Sequence, residues 1–589
     1  MKRYIFFTGL LFLATAVRAQ DQKIMTTADY DRAVSKLAGG PVAKEFARQN
    51  ILPQWTQEGK LWYQVPAGDQ YVLIDPSAKK ITKTLTGKAP GEERTLNRRR
   101  AASRFSVSPD GKKAVFIKNW NLWVRDITTG TEKQLTTDGI KNFGYATDNA
   151  GWKHSDDPIV LWSPDSRKVA TFQQDQRHVK DMYLVRTKVG APELEQWKYP
   201  LPGDSAVIKI HRVIVDVETS ATVRLEMAPD DHRGTLSDDI AVDGKLGDAQ
   251  WSADGLQLAF VSVSRDHKIA TFRVANAGTG AVRTVFKEEV PTQYESGQGK
   301  INWQFFPETN EFIWYSERDG WGHLYLYDLN TGKLKQQITK GNFVVTQLLS
   351  ADPVKRKLVF EAKGKEAGEN PYYSHFYKIN FDGSNLVPLT AEPGTHTVAF
   401  SPDGNYFVDR YSAPAVPPVI KLKTREGKTL TELATVELAK LKTAGWVAPE
   451  LFSVKSASDQ FDLYGLMYKP SQLDASKKYP VVVYIYPGPQ GGSVGNWSFT
   501  AAGGDFQALA ELGFIVIRLE GSCNPNRSKA FHDACYGHMG ENTLPDQVAA
   551  LKQLAAKNPF MDLDRVGIWG HSGGGFATVT AMFRYPAIF

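Results

Sequence analysis

From about residue 60 to 440 short apolar runs alternate with polar turns, and one phrase recurs. It reads Ser-Pro-Asp-Gly at 108–111 and 401–404, Ser-Pro-Asp-Ser at 163–166 and Ser-Ala-Asp-Gly at 252–255. Each copy follows an apolar or aromatic residue and precedes a β-type run, at 114–117, 169–172, 258–261 and 406–408. Pro-Asp-Gly builds a tight turn in which glycine takes the positive φ, so each copy predicts two strands joined by a turn. Asp-Ile-Thr-Thr-Gly at 126–130 and Asp-Leu-Asn-Thr-Gly at 328–332 end further strands in the same way. Hairpins repeated every several tens of residues are the pattern of a β-propeller. A large sandwich with coincidental turns is the competing reading. The uneven spacing of Ser108, Ser163 and Ser252 means that some blades carry insertions, and the repeats alone do not give a blade count.

The pattern changes near residue 445. The runs 479–486, 514–519 and 565–570 are almost wholly apolar apart from Arg518 and Arg565, as parallel strands buried on both faces require. Between them 543–557 predicts a helix, with Thr543 as N-cap, Pro545 in the first turn and Val548, Leu551 and Leu554 on one face. Strands alternating with helices indicate an α/β sheet. The chain therefore divides into a signal segment (1–19), a propeller with an N-terminal extension (20–445) and an α/β domain (446–589).

The last apolar run leads into Gly570, His571, Ser572, Gly573 and Gly574, and then into a helical stretch. A strand, a sharp Gly-x-Ser-x-Gly turn and a helix form the nucleophile elbow of an α/β-hydrolase. The motif alone is weak, and a second match, Gly491-Gly-Ser493-Val-Gly495, lies in a glycine-rich loop with no strand ending at it and no helix after it. Context selects Ser572 as nucleophile and rejects Ser493. In such a turn the Gly573 N–H points at the carbonyl oxygen under attack. A second donor comes from the loop after an earlier strand, where Tyr486, Pro487 and Gly488 fall.

Composition narrows the picture further. The 589 residues are 42% hydrophobic and 23% charged, with a net charge of +7 that falls to +4 without Lys2, Arg3 and Arg18. That balance gives no footprint for nucleic acid, and Arg98, Arg99 and Arg100 read as a solvated loop. Residues 1–19 carry a basic start, an apolar core and small residues before Gln20, the pattern of a secretory signal. The expected location is periplasmic or secreted, with no stable membrane span. Cys523 and Cys535 lie 12 residues apart, which allows a disulfide without demanding one. No His, Cys and Glu cluster has metal-ligand spacing, so no metal or cofactor is expected.

These motifs together resemble the prolyl oligopeptidase family, in its dipeptidyl peptidase IV branch. The resemblance rests on Tyr-Ile-Tyr-Pro-Gly-Pro at 484–489, Lys-Ala-Phe-His-Asp at 529–533 with Tyr536 and Gly537, Asp546 with Gln547, the 570–574 elbow, the decapeptide 316–325 and the Ser-Pro-Asp-Gly phrases. It implies a mixed fold of an eight-bladed propeller capping an α/β-hydrolase domain. It also implies an oxyanion role for the Tyr486 hydroxyl, peptide substrates cleaved after Pro or Ala through an acyl-enzyme at Ser572, and a homodimer.

Two features depart from the family. Its dipeptidyl peptidases hold the substrate amine with a Glu-Glu pair shortly before a Trp-Ser-Pro turn, and the matching stretch here, 145–157, has none. Asp148 is the nearest acid that could take the ammonium, although a turn-capping Asp is the ordinary reading of it, and Glu288-Glu289 lies elsewhere in the array. Secondly, the triad acid and histidine follow the nucleophile in this fold, and the 17 residues after Ser572 contain neither. The expectation is a serine exopeptidase represented by an incomplete, inactive chain. The alternatives are a non-catalytic peptide-binding propeller with a hydrolase remnant, and an esterase on the same scaffold.

Overall fold

The computed structural model describes residues 25–589 apart from 67, 79, 87–103, 148–155, 232–240, 243–244, 296, 298–299 and 503. Arg98 to Arg100, Asp148 and the signal segment lie outside the described residues. Six four-stranded antiparallel sheets and one of six strands follow one another, built from residues 54–86, 106–134, 143–231, 249–289, 304–337, 344–388 and 395–435. The third carries an inserted hairpin, Asp181–Arg186 with Glu193–Lys198, which accounts for part of the uneven repeat spacing.

The recurring phrase is more tightly built than its turn glycine alone requires. Ser108 Oγ donates to Asp110 Oδ1 (2.6 Å) and accepts from the Lys113 N–H (3.0 Å), while Gly111 sits at φ 74°. The same bonds recur at Ser163–Asp165, Ser252–Asp254 and Ser401–Asp403. Where serine replaces the glycine, Ser166 adopts φ 60° regardless.

Tryptophans tie three of the sheets to a neighbour. Trp162 Nε1 donates to Ser106 O (3.1 Å) and Trp251 Nε1 to Leu161 O (3.0 Å). Trp55 of the first sheet makes the equivalent bond to Ala399 O of the seventh (2.9 Å), which closes the ring. Apolar clusters fill the joints: Val115 with Val169, Phe172 with Phe260, Phe272 with Phe312, Leu326 with Phe360, Phe376 with Phe407, and Ile74 with Ile420 across the closure. Among the described residues seven such sheets are seen and the seventh packs on the first, so the eight-bladed count that the resemblance implied is not confirmed.

The remaining sheet has the strand order Glu450–Lys455, Asp462–Tyr468, Ile515–Glu520, Tyr479–Tyr484, Met561–Trp569. The last three are parallel, and the first two form an antiparallel hairpin at one edge. Val481, Val483, Ile515 and Ile517 are buried against Leu551 and Leu554 of the helix Leu544–Lys557. Thr543 precedes that helix at φ 58° without capping it through its side chain, and the first-turn Asp546 is engaged instead by the Ser522 and Ala457 N–H groups. The N-terminal helix Thr27–Val34 is pinned to this domain by Arg32, whose Nε donates to Glu511 (3.1 Å). No helix among the described residues is long and apolar enough to cross a membrane.

Candidate active site

The strand Met561–Trp569 ends three residues before Ser572, and the helix Gly573–Arg584 begins immediately after it. Ser572 has φ 54° and ψ −115°, a backbone conformation costing a non-glycine residue of the order of 1–3 kcal/mol, which persists only where surrounding structure enforces it. The enforcement comes from two close approaches. A Cβ on Gly570 or on Gly574 would stand 2.2 Å from Ile485 O. Ile485 in turn continues the parallel pairing, its N–H donating to Trp569 O (2.9 Å). The turn is thus pressed against the end of the central strand, and the Ser572 side chain is left exposed. A Cβ on Gly573 would meet nothing within 4 Å, and the residue is exposed. Its N–H heads a helix, where no intrahelical carbonyl can accept it, and the helix dipole there favours negative charge.

Tyr486 follows Ile485 directly and is half-buried, with its backbone N–H donating to Ser493 Oγ (3.1 Å). The second Gly-x-Ser-x-Gly match therefore has a different occupation. Ser493 is buried, its hydroxyl holds the Tyr486 backbone, and its carbonyl accepts from Arg518 Nε (3.0 Å). The loop is anchored further by Glu520, a carboxylate that sequence reasoning did not single out. Glu520 accepts the N–H groups of Val494 (3.0 Å) and Gly495 (2.7 Å) and the Asn524 amide (2.6 Å). Burial raises its pKa, opposed by these N–H groups and by Arg518. An acid directly after a continuous apolar strand was the available signal for it.

His532 lies beneath the same loop. Its Nε2 donates to Pro489 O (3.0 Å) and its Nδ1 faces Glu295 of the propeller at 3.8 Å. His538 and His571 are exposed. Among the described residues, no imidazole or carboxylate bonds the Ser572 hydroxyl. Glu288 is internal to the propeller, accepting from Trp314 Nε1 (2.6 Å) and Arg318 (3.1 Å), and Glu289 is exposed. Neither offers a ready ammonium site. Cys523 and Cys535 are joined in a disulfide, with Cα atoms 5.7 Å apart.

One group of residues has metal-like spacing. Single ligand atoms of Glu392, His396 and Asp409 lie within 4.8 Å of one another. Lys423 Nζ already bridges Glu392 and Asp409 (2.7 Å each) and Lys421 Nζ pairs with Glu392 (2.8 Å). Two ammonium groups occupying the carboxylates oppose a cation there, and the cluster serves the seventh sheet as a closed ionic network.

The comparisons agree with this architecture. The model described as "Dipeptidyl peptidase IV (DPP IV) N-terminal region" matches residues 54–418, and that described as "Prolyl oligopeptidase family" matches 497–589. The chain belongs to the prolyl oligopeptidase family, in its dipeptidyl peptidase IV branch. It is 26% identical over 506 residues to a probable dipeptidyl-aminopeptidase B of Aspergillus oryzae, covering 81% of this chain and 54% of the relative. The corresponding protein of Penicillium rubens is 27% identical over 508 residues, with the same coverages. The chain spans about half the length of the curated relatives it matches. Among solved structures, a putative dipeptidyl aminopeptidase IV from Bacteroides ovatus superposes with a TM-score of 0.69 at 23% identity, covering 90% of this chain and 72% of that one. Porphyromonas gingivalis dipeptidyl peptidase 4 gives 0.68 at 21%, covering 92% and 74%. At these identities the structural likeness speaks to the fold.

Proposed function

We propose that this chain supplies the propeller and the nucleophile of a serine exopeptidase of the dipeptidyl peptidase type. The observation that carries the reading is the strained exposed Ser572 locked beside Tyr486 through the contact of Gly570 and Gly574 with Ile485. In the reaction Ser572 Oγ attacks the peptide carbonyl carbon. Its proton passes to a general base and from there to the departing amine, leaving an acyl-enzyme that water hydrolyses. The Gly573 N–H and the Tyr486 hydroxyl stabilise the oxyanion, each donor being worth about 10²–10³ in kcat. The base and its acid partner are not found beside Ser572 among the described residues, and turnover requires them. The substrates are peptides presented by a free amine, cleaved after Pro or Ala, and the product of the gene is exported.

The test is hydrolysis of Gly-Pro and Ala-Ala chromogenic amides. The 589-residue chain should show negligible turnover, while a gene product that also supplies the base should be active and be silenced by Ser572→Ala. Ordinary peptidase rates from the 589 residues alone would overturn the mechanism. A non-catalytic peptide-binding role is the second reading, favoured by the unaccompanied Ser572 hydroxyl. It predicts peptide binding without turnover whatever base is supplied.

A further inference from the structure

A cavity of about 480 Å³ opens between the sixth and seventh propeller sheets where they meet loop 495–499 of the hydrolase domain. Gln347 and Lys363 of the sixth sheet, Arg410 of the seventh and Trp497 of the loop contribute to its wall. Its charge is unbalanced. The Arg410 guanidinium makes one hydrogen bond, to Asn50 Oδ1 (2.6 Å), and meets no carboxylate among the described residues. Lys363 is half-buried, its pKa lowered by desolvation against a partial offset from Glu361 and Glu520, and its ammonium has neither hydrogen bond nor ion pair among the described residues.

Neighbouring acids do not close the account. Glu361 is the one carboxylate on the wall, set against two cations. Glu520 acts on Lys363 from behind the loop, but its oxygens are committed to Val494, Gly495 and Asn524. Glu392, Asp409, Lys421 and Lys423 neutralise one another, and both nitrogens of His396 are engaged, by Asp409 and by Glu392 O. An arginine does not deprotonate in proteins, and a half-buried cation without a carboxylate partner is left partly desolvated and uncompensated. Positive charge is therefore held in excess over a space large enough for a small molecule. The rest of the wall mixes apolar and hydrogen-bonding groups, including the Trp497 Nε1–H, which has no acceptor.

We propose that this interdomain cavity binds a small organic carboxylate, of amino-acid to dipeptide size, through Lys363 and Arg410. The guanidinium fork suits a carboxylate, and the aromatic wall suits an organic body over a bare inorganic anion. The ligand would also touch the active-site support. The lining loop begins just after Ser493, which holds the Tyr486 backbone, and its Phe499 N–H is bonded to Ser412 of the seventh sheet (3.1 Å). Occupancy then links the propeller to the Tyr486 loop. The proposal stands without the peptidase reading.

Calorimetric titration of the 589-residue chain with N-acetyl-alanyl-alanine and with its C-terminal amide tests this. The acid should bind at least about tenfold more tightly than the amide, and Lys363→Gln and Arg410→Gln should each weaken it by about tenfold or more. Ser572→Ala, outside the cavity, should bind as the parent does. The ligand-free Lys363→Gln and Arg410→Gln proteins should melt no lower than the parent, since each loses an uncompensated cation. Equal binding of acid and amide, unchanged affinity in both variants, loss of binding in Ser572→Ala, or a lowered melting temperature in both ligand-free variants would overturn the site. Inorganic phosphate binding as tightly as the acid would overturn the ligand class.

Discussion

Gly574 lies so close to Ile485 that a Cβ built on it would stand 2.2 Å from the Ile485 carbonyl oxygen, well inside any real contact. The obstacle is backbone at the end of a central strand, which cannot swing aside as a side chain would. Gly574→Ala should therefore cost about 2–4 kcal/mol in urea denaturation, as overpacking and backbone displacement do. Gly573→Ala, one residue away with open space around its Cβ position, should stay within about 0.5 kcal/mol. Equal losses at the two positions would show that the glycines are not placed by this contact.

Ser493→Ala removes the buried acceptor of the Tyr486 N–H. The expected loss of stability is about 1–3 kcal/mol, the usual penalty for leaving a buried donor unpaired. In an active gene product it should lower turnover by misplacing Tyr486 without abolishing it, whereas Ser572→Ala should abolish it. The pair of variants separates a loop-building serine from a reacting one.

Trp55→Phe deletes the donor that ties the first propeller sheet to Ala399 of the seventh. The net cost should be about 1 kcal/mol. Its location is more telling than its size. Hydrogen exchange should accelerate together in 54–86 and 395–435, with 249–289 unaffected. Acceleration spread evenly over all the sheets would mean that the ring is not closed there.

Where the propeller meets the hydrolase domain, burial and the nearby Glu295 push the Glu317 carboxyl up to about 8, while Lys529, 3.5 Å away, opposes the shift. A raised folded pKa means that the folded state binds more protons than the unfolded one between the ordinary value of 4.5 and about 8. Stability contributed by this group is fully present below that window and is lost as pH rises through it. Glu317→Gln should accordingly flatten the decline of melting temperature between pH 5 and 8. An identical decline in the variant would assign the pH dependence to groups other than Glu317.

What the residues disclosed in advance were local devices. Gly570 to Gly574 could be placed because a strand, a strained turn and a helix are contiguous, and Ser493 could be dismissed because its flanks lack both. The Ser-Pro-Asp-Gly phrases gave the strand pairs for the same reason, since Ser108 and Asp110 satisfy each other two residues apart. The closure of the ring was hidden because it joins Trp55 to Ala399, residues no local pattern connects. Glu520, His532 and the Lys363–Arg410 cavity were equally invisible, each acting on a partner brought near only by the fold. The hairpin Glu450–Lys455 with Asp462–Tyr468 escaped because its alternation of apolar and polar residues was overshadowed by the longer apolar runs after it. Cys523 and Cys535 could not be paired from a 12-residue spacing that fits either state.

The most direct measurement is covalent labelling of the active gene product with a fluorophosphonate, located by tandem mass spectrometry. Phosphorus on Ser572, absent from Ser572→Ala and retained in Ser493→Ala, is the expected result. Phosphorus on Ser493, or label that survives Ser572→Ala, would contradict the assignment of Ser572 as the nucleophile.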